Sequence, residues 1–161
     1  MTDVILDSEL SDQDATALVE LLFFAYRDFV SDPDQVLAEI GFGRAHHRVI
    51  HFIGRDPGMT VQRLLDLLRI TKQSLGRVLK DLIENDFVVQ KEGENDRRQR
   101  LMFLTLAGVE LQKKLMAPQL ARVRRAAALK PNGLQSLLCG LIDAENLKAI
   151  SVWQKSRMPN G

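Results

Sequence analysis

The stretch TVQRLLDLLRITKQSLGRVLKDLIE, residues 60–84, decides the fold. Its apolar residues recur at helical spacing in two short runs, with only Arg69 and Ile70 between the first run and the threonine that opens the second. Thr60 and Thr71 stand directly before the runs, and threonine is a preferred N-cap because its hydroxyl accepts a hydrogen bond from a first-turn amide. Two short amphipathic helices joined by so short a turn indicate a helix-turn-helix.

The same spacing predicts which side of each helix faces the core. The inward residues are Val61, Leu64, Leu65 and Leu68 in the first helix and Leu75, Val78, Leu79, Leu82 and Ile83 in the second. The outward side of the second helix then carries Lys72, Gln73, Gly76, Arg77 and Lys80. None of these five residues is acidic, which favours contact with a polyanion.

A helix that enters the major groove reads base edges with side chains near its N-terminal end. Arg77 and Gln73 are the predicted base readers, because arginine pairs with guanine and glutamine with adenine through two hydrogen bonds each. Thr71 and Ser74, at the positive end of the helix dipole, suit phosphates. Lys72 and Lys80 are expected to contact phosphates as well. Gly76 either permits close approach to DNA or is merely tolerated there.

A β-hairpin is expected after this helix. Residues 87–91 and 100–104 have strand character, and the polar segment 92–98 between them contains turn-forming residues. A hairpin after a helix-turn-helix is a wing. At its tip, Asp96, Arg97 and Arg98 suggest that a carboxylate extends the Arg98 guanidinium toward a minor groove, where arginine is favoured. The alternative is a solvated tip with a surface ion pair.

Helices are predicted on both sides of the winged unit. The first begins after the cap Ser11 and ends at about Ser31, before Pro33, and its very wide apolar face indicates burial on two sides, as in a dimer core. A second helix covers residues 42–53. After the hairpin, Thr105 caps a long helix that is kinked or interrupted near Pro118. Two more helical segments follow, one from residues 131–132 to 142 and one from Asp143 to about residue 157.

Composition is that of one folded domain. The chain has 161 residues, 45% hydrophobic and 27% charged. Its net charge of +1 hides an asymmetry: residues 1–40 carry −9, residues 41–105 carry +4 and residues 106–161 carry +6. The single cysteine, Cys139, cannot form an internal disulfide and is expected to be a buried, reduced thiol. The chain shows no secretion signal and no apolar run long enough to span a membrane, so a cytoplasmic protein is expected.

Catalytic and cofactor-binding patterns are missing from the sequence. It contains no glycine-rich phosphate loop, no GxSxG elbow and no plausible Cys–His pair, so an enzyme is disfavoured and no cofactor is expected. Two hypotheses remain for a winged module: a site-specific regulator, or a module that binds protein or coats DNA without specificity. Competition by random DNA separates the two.

Residues 57–110 resemble the MarR family of bacterial regulators. The resemblance lies in the segments PGMT (57–60), ITKQSL (70–75), LIENDFV (82–88), DRRQRL (96–101) and LTLAG (104–108). It implies a homodimer whose terminal helices interlock and whose two winged units reach successive major grooves of a pseudopalindrome. It also implies that Arg98 is the wing arginine and that Asp96 holds it. The expected division is a winged helix-turn-helix at 41–105 and a dimerisation region at 1–40 and 106–161.

The resemblance further implies a repressor that releases DNA when a small anionic or phenolic compound, or an oxidant, acts on it. The N-terminal helix lacks the cysteine of the family's peroxide sensors, so thiol sensing is not expected. Arg44, His47 and His51 are the candidate effector-binding residues. With His46, these histidines form a cluster whose alternatives are a two-ligand metal face, a pH-sensing role or ordinary packing.

Overall fold

The computed structural model describes residues 10–130 and 132–156. Within them the fold is mainly helical, with one small antiparallel sheet, as the sequence predicts. The elements in chain order are α1 (Asp12–Glu39), α2 (Arg44–Arg55), β1 (Met59–Thr60), α3 (Val61–Leu68), α4 (Lys72–Glu84), β2 (Val88–Glu92), β3 (Arg100–Leu104), α5 (Leu106–Leu129), α6 (Gly133–Gly140) and α7 (Ala144–Lys155).

Hydroxyl caps begin four of the helices, at the residues that the sequence predicts. The side-chain oxygens of Ser11, Thr60, Thr71 and Thr105 each accept a hydrogen bond from the backbone amide three residues later, at 3.0–3.3 Å. Such a cap satisfies one of the four amides that a helix start leaves without a partner, and is worth about 1 kcal/mol. Asp143 is the N-cap of α7, but its side chain makes no capping hydrogen bond.

The sheet has the strand order β1-β3-β2, all antiparallel. β2 and β3 form the predicted hairpin, with Val88 opposite Leu104 and Glu92 opposite Arg100. The third strand, β1, was not predicted, because a two-residue strand carries no periodicity of its own. It exists through its pairing with β3, in which Met59 lies opposite Met102. Gly58 makes the preceding turn at φ 88° and donates its amide to the Met102 carbonyl.

The core of the winged unit is formed where α2, α3, α4, β3 and the start of α5 meet. Fully buried side chains come from each of these elements: Val49, Ile50, Ile53, Leu64, Leu75, Leu82, Met102 and Leu115. Burying a side chain of this size stabilises the fold by roughly 1.5–3 kcal/mol. The core positions expected in α4 are confirmed except Ile83, which is 36% exposed. It lies at the edge of the apolar stripe.

The predicted end of the first helix is wrong, because α1 continues through Pro33 to Glu39. A proline has no amide to donate, so the carbonyl of Phe29, four residues earlier, loses its helical partner. The side-chain amide of Gln119 in α5, itself buried, donates to that carbonyl at 3.4 Å. One turn of helix away, Arg122 of α5 pairs with Asp32 at 3.0 Å. A side chain of α5 therefore supplies the hydrogen bond that Pro33 removes from α1.

Smaller differences concern other boundaries. α2 begins at Arg44 and ends at Arg55, and α5 passes Pro118 without interruption. Cys139 in α6 is half-buried and free, so its predicted burial is wrong. The predicted helix start at residue 131 and the predicted end near residue 157 lie outside the described residues.

Large apolar side chains remain exposed on three helices. We call this set the exposed apolar surface: Leu18, Leu21, Leu22, Phe23, Phe24 and Tyr26 of α1, Leu120 and Val123 of α5, and Leu137, Leu138 and Leu141 of α6. An exposed apolar surface of this extent usually marks an interaction site. In the described part of the chain no helix is both long and apolar enough to cross a membrane.

Candidate nucleic-acid interface

The start of α4 is held by a tight hydroxyl network. The Thr71 Oγ1 accepts from the Ser74 amide at 3.1 Å and donates to the Ser74 Oγ at 2.9 Å. Two residues before Thr71, Arg69 ends α3 in the left-handed conformation at φ 51°. This turn aims the positive end of the α4 dipole outward, where an anion is favoured.

One side of α4 is exposed and cationic. All of the predicted contact residues on this helix are exposed: Thr71, Lys72, Gln73, Ser74, Arg77 and Lys80. The opposite side is anchored by Leu75, Val78, Leu79 and Leu82. Lys80 pairs with Glu84 at 3.8 Å, an exposed i,i+4 contact that is worth only a few tenths of a kcal/mol. A Cβ on Gly76 would meet nothing within 4 Å, so the surface there is open.

The wing carries its charges at the tip and along β2 and β3. Asp96, Arg97 and Arg98 are all exposed. The Asp96 carboxylate accepts from the backbone amide of Arg98 at 2.9 Å, so its observed contact is to the main chain and not to the Arg98 guanidinium. The tip is thus a turn stabilised by an aspartate, from which both arginine side chains project.

Sequence reasoning missed two cations of the wing. Arg100 pairs with Glu92 across the hairpin at 3.1 Å, and the Lys91 ammonium lies over the Phe103 ring. The only signal in the sequence is their position at the ends of the two strands. That position does not reveal that Arg100 pairs with Glu92 or that Lys91 lies over Phe103.

Sequence reasoning also missed the contact that joins α2 to α4. The Nε2 atom of His46 lies 3.0 Å from the Asp81 Oδ2, and its Nδ1 accepts from the Gly43 amide at 3.1 Å. Because the Gly43 amide can only donate, Nδ1 must accept and Nε2 carries the proton that is donated to Asp81. The imidazole also stacks on Phe42 at 4.4 Å, with ring planes 2° apart. His46 therefore fixes α4 against α2 through Asp81, which lies one helical turn after the exposed Arg77.

The three candidate effector residues line one cavity of about 360 Å³ between α1, α2 and α5. Arg44, His47 and His51 come from α2. The other wall residues are Tyr26, Phe29, Val30, Arg48, Met116 and Gln119, mostly apolar. Arg44 is held by the Asp34 carboxylate at 2.9 Å. The Nδ1 atom of His51 is buried and has no hydrogen-bond partner within the described residues.

Both cavity histidines favour the neutral form. Burial lowers the pKa of His51, and the nearby His47 and Arg55 lower it further. Burial also lowers the pKa of His47, a shift that Asp34 opposes and Arg48 reinforces. His46 points elsewhere, so the three histidines do not form one cluster. No group of three or more metal-ligating side chains comes together in residues 10–130 and 132–156.

Comparison with known proteins shows the family. A model of the MarR family matches residues 40–99. The HTH-type transcriptional regulator PetP of Rhodobacter capsulatus is 45% identical over 128 residues, covering 80% of this chain and 76% of PetP.

Solved structures share the fold at low identity. A SlyA-like transcription regulator from Listeria monocytogenes has a TM-score of 0.61 at 20% identity and covers 88% of this chain and 96% of its own. FabT of Streptococcus pneumoniae, in complex with DNA, has a TM-score of 0.59 at 16% identity, with 89% and 94% covered. The winged fold, the family match and the identity to PetP together establish that this chain belongs to the MarR family of DNA-binding transcriptional regulators, which are not enzymes.

Proposed function

We propose that the protein is a homodimeric repressor that binds a pseudopalindromic operator and is released from it by a small anionic or phenolic effector. The observation that carries the DNA-binding part is the exposed side of α4 with its three cations Lys72, Arg77 and Lys80, set on a buried leucine and valine stripe. Solved relatives in complex with DNA, such as FabT, support the same use of the fold.

In this proposal α4 enters the major groove. Gln73 and Arg77 read base edges, and each two-hydrogen-bond contact contributes roughly 1–3 kcal/mol of discrimination between bases. Thr71, Lys72, Ser74 and Lys80 hold phosphates, which raises affinity without adding sequence information. The wing arginines Arg97 and Arg98 reach the neighbouring minor groove, with Asp96 fixing the turn that presents them.

The exposed apolar surface supports the homodimer. A C₂ partner covering it would place two copies of α4 on one side of the duplex, and symmetric recognition requires half-sites about one helical turn apart. In this arrangement residues 1–40 and 106–161 supply the dimerisation region and residues 41–105 the winged unit.

The test of base reading uses an operator selected from a random duplex library and measures fluorescence anisotropy at several salt concentrations. We expect Arg77→Ala to weaken operator binding by roughly five- to 150-fold, the range that 1–3 kcal/mol represents, and to lose discrimination against random DNA. Lys80→Ala weakens both DNAs alike and lowers the salt slope by about one.

Lys148→Ala on α7 is the matched control, because it removes one exposed cation that lies neither on α4 nor on the wing. Full operator affinity in both Arg77→Ala and Arg98→Ala would defeat the proposed interface. Equal competition by random DNA would instead favour a module that coats DNA without specificity.

The effector part is supported by the cavity beside His51. Its volume lies in the range of small-molecule sites, and apolar walls with a few cationic and imidazole groups suit an aromatic anion. The buried Nδ1 of His51 offers a hydrogen bond to a ligand hydroxyl. Salicylate is a suitable probe: we expect it to bind and to weaken operator binding, and His51→Ala to weaken salicylate binding. Unchanged salicylate affinity in that variant would reject the role of His51.

A further inference from the structure

A second cavity, of about 450 Å³, lies between α3 and α7. It shares no lining residue with the cavity beside His51. Its apolar wall is formed by Leu67 of α3 and by Ile142, Ile150 and Trp153 from the C-terminal part of the chain. Its volume also falls within the range of small-molecule sites.

Two guanidinium groups give this cavity a cationic side. Arg69 is bound by the side-chain oxygen of Asn146, a neutral partner that leaves the positive charge uncompensated. Arg63 is half-exposed and pairs with Asp56 at 3.5 Å, a distance longer than that of a tight ion pair. The acid that lines the cavity, Asp66, accepts a hydrogen bond from Gln62 at 2.9 Å. Among the lining residues there are thus two cations, Arg63 and Arg69, and one acid, Asp66, all carried by α3 and its C-cap.

The tryptophan of the apolar wall is buried against α2. Trp153 is 8% exposed and packs edge-on against Phe52 of α2, with ring centroids 5.2 Å apart. α7 is thereby fixed to the winged unit at one end by an aromatic contact and at the other by the bond between Asn146 and Arg69. The cavity is the space that these two contacts leave between the helices.

The position of Arg69 connects the cavity to DNA binding. Arg69 is the C-cap of α3 and begins the turn that leads through Ile70 to the N-cap Thr71, and its backbone is left-handed, at φ 51° and ψ 42°. The left-handed conformation is unfavourable for a non-glycine residue, so contacts made elsewhere have to hold Arg69 in it. A ligand that takes the guanidinium from Asn146 therefore acts on the turn that orients α4.

We propose that the α3–α7 cavity is a second ligand site, for an amphipathic organic acid, and that its occupancy changes DNA affinity. The carboxylate binds Arg69 and Arg63 through paired hydrogen bonds, and the apolar body lies against Trp153. The regulatory half of this inference rests on the proposed DNA-binding function. Binding of the acid to the cavity does not depend on that function.

Trp153 is the only tryptophan of the chain, so its emission reports on this cavity. The probe is octanoate, titrated into the full-length protein without DNA, and the matched neutral probe is octanamide. We expect a saturable change in tryptophan emission with octanoate, and binding at least fivefold weaker for octanamide and for Arg69→Gln. No saturable change, or equal binding of acid and amide, overturns the ligand site.

Two further variants separate loss of the site from loss of the fold. Ala149→Phe adds a ring to the cavity wall without touching either arginine, and we expect it to abolish the octanoate response while circular dichroism stays unchanged. His51→Ala changes the other cavity and is expected to leave the octanoate response as it is. If the response is lost in His51→Ala and kept in Ala149→Phe, octanoate binds the cavity beside His51, and the proposal is overturned.

The regulatory half is measured by operator anisotropy with and without saturating octanoate. We expect a difference of fivefold or more in operator Kd, and an equal shift of the octanoate Kd when operator is present, because coupling between two binding sites is reciprocal. An unchanged operator Kd overturns the coupling to Arg69. Failure of the ligand-free protein to bind any operator is a different result, since it defeats the proposed function and leaves the tryptophan titration intact.

Discussion

Pro33 would end most helices, and α1 continues past it because one distant side chain repairs the backbone. Removing an interior helical hydrogen bond with proline costs about 3 kcal/mol or more. Gln119 returns a donor to the Phe29 carbonyl, and its neighbour on α5, Arg122, pairs with Asp32. The buried side-chain amide of Gln119 thus allows α1 to continue as one helix along α5. The cavity beside His51 depends on this course of α1, because α1 and α5 form two of its walls.

A second residue-scale consequence concerns pH. The pKa of His51 is lowered in the fold from its ordinary value of 6.5, mainly by burial. Below pH 6.5 the unfolded chain takes up a proton at this position while the folded chain remains neutral, so acid favours unfolding. We expect the free energy of unfolding to fall between pH 7.5 and 5.5, and His51→Gln to flatten this slope, as measured by urea denaturation at each pH.

His47→Gln is the companion variant, since burial lowers the pKa of His47 in the same direction. Its flattening of the slope is expected to resemble that of His51→Gln. A wild-type slope retained in both variants would show that neither imidazole is held neutral by its surroundings.

At the scale of elements, α4 depends on α2 for its orientation. The bond between His46 and Asp81 is the polar contact that joins them beside the leucine stripe, and the ring stacks on Phe42. Because base readout needs side chains held within fractions of an ångström, a small rotation of α4 weakens specific binding before it unfolds the domain.

We predict that His46→Ala lowers operator affinity several-fold and destabilises the fold by about 0.5–1.5 kcal/mol, the net worth of a hydrogen bond, because Asp81 is 41% exposed and water can replace the imidazole. His46→Gln keeps a donor near Asp81 and is expected to recover most of the affinity. Anisotropy at a temperature where all variants are folded gives the first quantity, and denaturant titration the second. If His46→Ala and His46→Gln lose operator affinity equally, and only in proportion to their loss of stability, His46 acts as a packing residue and does not orient α4.

At the scale of the whole molecule, the exposed apolar surface is the largest feature that one subunit leaves unexplained. Phe23 is 67% exposed on α1, and Leu137 is 70% exposed on α6. Burying aromatic and leucine side chains between two subunits is the strongest available driving force for association.

We predict that the wild-type chain sediments at twice 18.2 kDa and that Phe23→Glu shifts it toward the monomer. The charge would have to be buried without a partner, which is costly. Leu106→Glu is the control, because Leu106, although it is the first residue of the 106–161 region, is 88% exposed beside the wing and lies outside the exposed apolar surface. A monomeric wild type, or equal dissociation by both changes, would contradict this interface.

Much of the winged unit follows from local chemistry in the sequence. The hydroxyl caps at Thr60, Thr71 and Thr105 and the apolar stripe of α4 act within a few residues of chain, and the structure confirms them. The cationic exposure of α4 follows from that stripe, because a helix that buries one side must present the other. The strand partners of the hairpin are equally local.

Contacts between distant segments were decided only by the tertiary structure. Gln119 reaches a carbonyl 90 residues earlier, His46 meets Asp81 across 35 residues, and Arg69 meets Asn146 across 77. No periodicity in the chain encodes such pairs, since each arises from how whole helices pack. For the same reason β1 and the cavity between α3 and α7 exist only once the elements that border them have come together.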